Sequence, residues 1–264
     1  MEKAHKIQSI IKKDFDNNKS VQNTGITKDN GLFCKIQNFL KKNGTVYYFL
    51  LNLFAPVLTS FDYRKTVNRM LKKYGREHFI LNVGSGPTYL HNRQDVINVD
   101  FFPYSEIDIV ADITDLPIKD GGVDFIINIA VLEHVDKAHV VVREMFRMLK
   151  PGGELLCYVP FVMPFHGAPQ DFQRWTMPGM EKLFSEFEII EMGIGAGPTS
   201  AMLWIVQEWL AILFSFGSKT LHDIIMMVLM VLTMPVKFMD MILVKFPNAE
   251  KIASGFYVVA KKKE

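Results

Sequence analysis

From about Phe79 onward, short apolar runs rich in Ile and Val recur along the chain. They fall at 79–83, 95–99, 107–110, 123–129, 154–160, 187–191 and 255–260. These runs do not alternate apolar with polar residues, so they read as strands covered on both faces, as in a parallel α/β sheet. Helix-length segments separate several of them. One, Lys137–Leu149, is closed by the stop signal Lys150-Pro-Gly-Gly153. No internal repeat or low-complexity linker interrupts the series.

Two apolar segments break the rhythm. The first is Val46–Leu58, VYYFLLNLFAPVL, preceded by Lys41 and Lys42. The second covers roughly 199–246, between the sixth and seventh strands. Four regions follow: a polar, Asn/Lys-rich and loosely ordered stretch at 1–30, a helical or apolar segment at 31–77, a sheet domain at 78–198 and 251–264, and a hydrophobic helical insertion at 199–250.

Within the insertion, Ile224–Val236 is thirteen residues long, short of the roughly twenty that span a bilayer. Extension to Phe246 adds Pro235, Lys237, Asp240 and Lys245, and the earlier piece carries Gln207 and Glu208. Neither piece suits a transmembrane helix. Apolar, Met- and Trp-containing and flanked by lysines, they fit a surface that dips into one leaflet. The competing reading is a pair of core helices or an oligomer seam, since Met-rich stretches also fill irregular cores. A sheet domain complete without them favours the membrane.

Composition narrows the partners. Net charge is +2 over 264 residues, which gives no global basic field to gather nucleic acid. Cys34 and Cys157 are the only cysteines, too few for a disulfide scaffold, and they suggest a reducing compartment. The first twenty residues show no secretory signal. The expected location is cytoplasmic, peripheral on the cytoplasmic face of a membrane.

Candidate chemistry begins at FILNVGSGPTYL, where an apolar run breaks into Gly84-Ser85-Gly86. Such a turn lets backbone come close to a ligand, and the amides that follow it lack helical partners. A dinucleotide fingerprint would want Gly or Ala at position 89, which is Tyr89 here. Sixteen positions after Gly84, Asp100 closes the second strand, where a carboxylate can accept both hydrogen bonds of a ribose diol. A third strand ends at Asp112, and the fourth runs through Ala130 into Val131-Leu-Glu-His-Val135.

This ordered set resembles the class I S-adenosylmethionine-dependent methyltransferases, in particular the group with an L-E-H-V turn after strand four and K-P-G-G before strand five. The resemblance covers about residues 78–193 and 254–262. It implies a Rossmann-like seven-stranded sheet, mostly parallel with an antiparallel last strand, helices on both faces, and S-adenosyl-L-methionine as cofactor. By the same resemblance Asn82, Gly84, Ser85 and Gly86 approach the methionine part, Asp100 binds the ribose and Asp112 meets the adenine amino group. Phe101 and Ile113 flank the adenine, with Ala130 and His134 on the pocket wall near the methyl. Asn82 stands where the family often has an acid, and Thr88 replaces a third glycine.

After strand five the loop from Phe161 to Thr176 places His166, Asp171 and Arg174 in one segment. Its H-x-x-P-x-D-F-x-R-W-T pattern resembles methyltransferases of surface-polysaccharide and related biosynthetic clusters. In the functional reading His166 is a general base or acceptor ligand, Asp171 orients it, and Arg174 grips a polar acceptor group. The alternative is a structural Asp–Arg pair that pins the loop. The histidines are scattered in sequence, and no set has metal-ligand spacing. The leading expectation is O-methylation of a lipid-linked or glycan-type acceptor at a membrane surface. A soluble small-molecule methyltransferase with a helical lid or dimer seam is the second reading, and a non-catalytic scaffold the third.

Overall fold

The computed structural model describes residues 2–13, 15, 50, 53–86, 90, 93–167 and 170–263. Seven strands form one sheet: β1 Ile80–Val83, β2 Ile97–Asp100, β3 Ile109–Val110, β4 Val123–Ile129, β5 Leu149–Pro160, β6 Glu188–Ala196 and β7 Gly255–Lys261. Their order is β3-β2-β1-β4-β5-β7-β6. The first five pair in parallel, and β7 runs antiparallel between β5 and β6. This is the expected fold class. The ends of β1, β2 and β4 therefore share one edge, where a ligand site belongs in an open α/β sheet.

Helices cover both faces, which is why the strands read as continuous apolar runs. On one face α1 (Glu2–Ile10), α3 (Ala138–Met148) and α4 (Met177–Leu183) pack Ile10, Val141, Met145 and Phe184 against Leu81, Ile126 and Cys157. On the other, α2 (Phe61–Lys73) sets Tyr63, Val67 and Met70 over Ile80, Phe125 and Tyr158. Ser60 starts α2 by accepting a hydrogen bond from the Tyr63 amide at 3.1 Å.

Three expectations change. The start of the stretch expected to be loose is helix α1, with Ile10 in the core and Ile11 bridging Ile118; residues 16–30 lie outside the described residues, as do Cys34, Thr88, Tyr89 and, within Val46–Leu58, positions 46–49, 51 and 52. The K-P-G-G turn stops a helix at Met148 but then continues as a bulged start of β5, with Gly152 at φ +75°. Strand β6 runs to Ala196 because Gly193 and Gly195 leave room for rings. A Cβ at Gly195 would lie 2.4 Å from the Tyr158 ring.

The insertion is a helical hairpin, α5 (Pro198–Ser215) and α6 (Lys219–Thr233), followed by a 3-10 turn at Met234–Met239 and the short α7 (Asp240–Leu243). Pro235 enters at the start of the 3-10 turn, where a missing N–H costs little, so the helical run does not break there. Lys219–Leu243 is consequently 25 residues of helix, long and apolar enough to cross a membrane by length and composition. That overturns the thirteen-residue limit read from the sequence. Two of its charges turn inward: Lys237 is 1% and Asp240 2% exposed. Asp240 accepts from the amides of Thr199 and Ser200 at 2.7 and 2.8 Å, capping α5 from across the insertion.

Candidate active site

The Gly84–Gly86 turn leaves β1 with φ of +74° at Gly84 and +59° at Gly86. The amides of Gly84 and Ser85 both point to the Val99 carbonyl, at 2.8 and 3.2 Å. At the end of β2 the Asp100 carboxylate accepts from the Gly86 amide at 2.8 Å and from the Phe102 amide at 2.9 Å. Two backbone donors fix its orientation, and each oxygen keeps a second lone pair for a ligand hydroxyl. The structure thus brings Gly84, Ser85, Gly86 and Asp100 together as one cradle.

The remaining cofactor candidates are arranged around it. Phe101 is half-buried and follows Asp100 directly, while its neighbour Phe102 packs edge-on against it at 5.3 Å. Asp112 is exposed beyond β3, where one oxygen accepts from both the amide and the hydroxyl of Thr114, at 2.8 and 2.7 Å. Ile113 beside it is buried. Ala130 sits at the end of β4 with φ +54°, a conformation costly for a residue with a Cβ and frequent at functional turns. Asn82 is buried and spends its amide on Asn98 of the neighbouring strand at 3.3 Å, so its side chain is engaged within the sheet.

On the acceptor side, the loop after β5 folds back over the turn after β4. The Phe172 amide donates to the Glu133 carbonyl at 2.8 Å, and Gln173 Nε2 reaches the Val135 carbonyl at 2.8 Å. Asp171 and Arg174 form a forked ion pair, Arg174 Nη1 on one oxygen and Nη2 on the other at 2.6 Å. Arg174 holds the Asp171 carboxyl down at about 2, aided by the His166 amide. Arg174 also donates to the carbonyls of Gln173 and Pro164. Its guanidinium is committed within the loop, which matches the pinning role.

His166 lies between these groups. Its Nδ1 faces the Pro164 carbonyl at 3.0 Å and Asp171 Oδ2 at 3.6 Å, and its Nε2 faces Glu133 Oε1 at 3.7 Å. The Glu133 carboxylate raises the His166 pKa, burial opposes this, the Pro164 carbonyl and Asp171 add to the rise, and Arg174 counters it. His134 approaches the same carboxylate with Nε2 at 3.7 Å, while its Nδ1 contacts the Gln170 carbonyl at 2.6 Å. The two imidazoles meet edge to face at 5.4 Å, and Trp204 of α5 lies 5.7 Å from the His166 ring. Glu133, which in the sequence stands only as part of the L-E-H-V turn, is the hub. Histidines scattered in sequence converge here, and the only sequence signal was an acid–histidine pair after β4 matched by a histidine after β5.

Residues 81–157 match the model of a family described as a methyltransferase domain. No curated protein matches the sequence. Among solved structures, phosphoethanolamine N-methyltransferase 2 of Haemonchus contortus, in complex with S-adenosyl-L-methionine, is 13% identical with a TM-score of 0.51, over 86% of this chain and 60% of that one. A chain from the Haloferax volcanii complex of the Trm112 methyltransferase activator with a methyltransferase is 14% identical with a TM-score of 0.50, over 86% of this chain and 98% of that one. At such identities the likeness is one of fold. The matched segment runs from β1 to β5, and the seven-stranded sheet around it shares its fold with these structures.

Proposed function

We propose that this protein is an S-adenosyl-L-methionine-dependent methyltransferase. The observation that carries the reading is the Asp100 carboxylate, aimed by the Gly86 and Phe102 amides beside the Gly84–Gly86 cradle. That arrangement suits a nucleoside: a ribose diol on the carboxylate and an amino-acid tail along the glycine backbone. The cofactor of the Haemonchus contortus relative is of this kind.

The reaction is an in-line displacement in which the acceptor attacks the methyl carbon. The carbon–sulfur bond breaks with its electron pair going to sulfur, leaving S-adenosylhomocysteine, and the acceptor loses a proton. Alignment and water exclusion supply most of the acceleration. In this reading the cluster of Glu133, His134 and His166 promotes loss of the acceptor proton, and Asp171 with Arg174 holds the loop in place. The acceptor we assign is a hydroxyl on a lipid-linked or glycan-type molecule. Support comes from the hairpin, whose Trp204 rests against His166 while Trp209, Ile212, Leu232 and Ile242 of the same insertion are exposed.

Calorimetry with S-adenosylhomocysteine tests the cofactor assignment. Wild type binds it, and Asp100→Ala weakens binding at least ten-fold, about 1.4 kcal/mol. No heat of binding from folded wild type would sink the methyltransferase reading and support a scaffold.

A further inference from the structure

We infer that Glu133, His134 and His166 form a divalent-cation site. Glu133 is 0% exposed, and neither of its carboxylate oxygens has a hydrogen-bond partner. A buried carboxylate without donors is costly by several kcal/mol, so something positive belongs beside it. The guanidinium of Arg174 does not serve, since Asp171 takes it.

The imidazole tautomers point the same way. His134 Nδ1 sits 2.6 Å from the Gln170 carbonyl and His166 Nδ1 sits 3.0 Å from the Pro164 carbonyl. A carbonyl only accepts, so each Nδ1 carries the hydrogen. Arg174 Nη2 also comes within 3.3 Å of His166 Nδ1, but its two hydrogens are already directed to Asp171 and the Pro164 carbonyl. Each neutral ring then turns an Nε2 lone pair toward the same Glu133 oxygen, at 3.7 Å in both cases. Lone pair facing lone pair is unfavourable unless a proton or a cation lies between.

The spacing favours the cation. At 3.7 Å the Nε2–Oε1 pairs are too long for hydrogen bonds. A shared ion with bonds of about 2.1 Å holds its ligand atoms about 3.0 to 3.6 Å apart, for angles of 90° to 120°, so the two 3.7 Å separations need close by only about 0.1 Å to take one. All three ligand atoms lie within 4.8 Å of one another. Backbone carbonyls behind both histidines are the outer contacts that orient metal-bound imidazoles. Two imidazoles and one carboxylate suit Zn²⁺ or Mn²⁺ better than Mg²⁺ and leave positions open for an oxygen ligand. Resting on the proposed function, that oxygen is the acceptor's. Its hydroxyl would be acidified by the ion and would shed its proton to water, leaving His166 as a ligand instead of a base.

The test is metal binding by the full chain after chelator dialysis, read without any activity. Co²⁺ is used as a spectroscopic stand-in, and Zn²⁺ is titrated by calorimetry. One equivalent is expected, with a visible Co²⁺ absorption band. Glu133→Gln and His166→Ala should each weaken binding at least ten-fold, while His222→Ala, outside the cluster, leaves it unchanged. His166→Ala alters a half-buried loop side chain, so it reports on the ion even where Glu133→Gln disturbs folding. Absence of the Co²⁺ band in folded wild type, or equal affinity in His166→Ala, overturns the site. S-adenosylhomocysteine titrated into the same sample keeps the two claims apart: cofactor binding without metal sinks only the ion, and metal without cofactor sinks only the methyltransferase.

Discussion

Gly84 has a left-handed backbone, and the Cβ that alanine would bring lies 2.5 Å from both γ-carbons of Val131. Val131 in turn opens the segment that carries Glu133 and His134. A methyl at position 84 therefore presses the floor of the cofactor cradle against the turn that holds the acceptor side. Gly84→Ala should cost about 1 to 3 kcal/mol of stability through overpacking and backbone strain. It should lower S-adenosylhomocysteine affinity by more than Gly86→Ala does, because a Cβ at Gly86 meets nothing within 4 Å. Thermal unfolding and calorimetry on the two variants check this; equal effects would mean that the contact with Val131 is irrelevant. The cradle was legible from sequence because its residues lie on strand ends fixed by the sheet register. The Glu133–His134–His166 cluster was not, since it depends on the loop after β5 folding back so that Gln170 and Phe172 reach the turn after β4. Local spacing carries no trace of that fold-back.

At the scale of elements, the two ends of the insertion are tied to each other by one carboxylate. Asp240, near the end of the apolar run, caps the start of α5 through Thr199 and Ser200, and the Ser200 hydroxyl donates to it at 2.6 Å. Gly197 permits the approach, since a Cβ there would lie 2.5 Å from the Asp240 carboxyl carbon. Asp240→Ala should leave three donors unsatisfied and destabilise the hairpin by about 1 to 3 kcal/mol. Hydrogen exchange would then rise across 198–243 and not across β1–β5; uniform exchange would show that the hairpin has no separate stability. The strands themselves could be read from their apolar runs, apart from the start of β5 and the extent of β6. Its second half, Gly193-Ile-Gly195, has weak strand propensity and persists because Tyr158 and Tyr257 pack over the bare glycine backbone. Likewise, sequence set Lys237 and Asp240 down as charges a membrane would reject. A fold that turns both inward was invisible to a count of charged residues.

For the molecule as a whole, the hairpin places polar pairs between its helices and large apolar side chains outside. Gln207 donates to Thr233 at 2.6 Å and His222 meets Glu208 at 2.9 Å, both between α5 and α6. No residue of α6 is buried, while Trp209, Phe214, Leu232 and Ile242 are at least half exposed. Water should reverse that distribution, since burying one large apolar side chain is worth about 1.5 to 3 kcal/mol. Contiguous apolar surface of this kind marks contact with lipid or with another protein. The proposed membrane setting makes a specific demand: the full chain should cosediment with phosphatidylglycerol-containing vesicles. The combined variant Trp209→Glu, Phe214→Glu, Leu232→Glu and Ile242→Glu should lose at least ten-fold in vesicle affinity while binding S-adenosylhomocysteine as wild type does. Cofactor affinity is the control for folding, because the cradle at Gly84–Asp100 shares no residue with this face. If wild type instead forms a monodisperse dimer without detergent and ignores vesicles, the same face is a protein seam. The acceptor would then reach His166 from solution beside Trp204, and the soluble small-molecule methyltransferase becomes the better account.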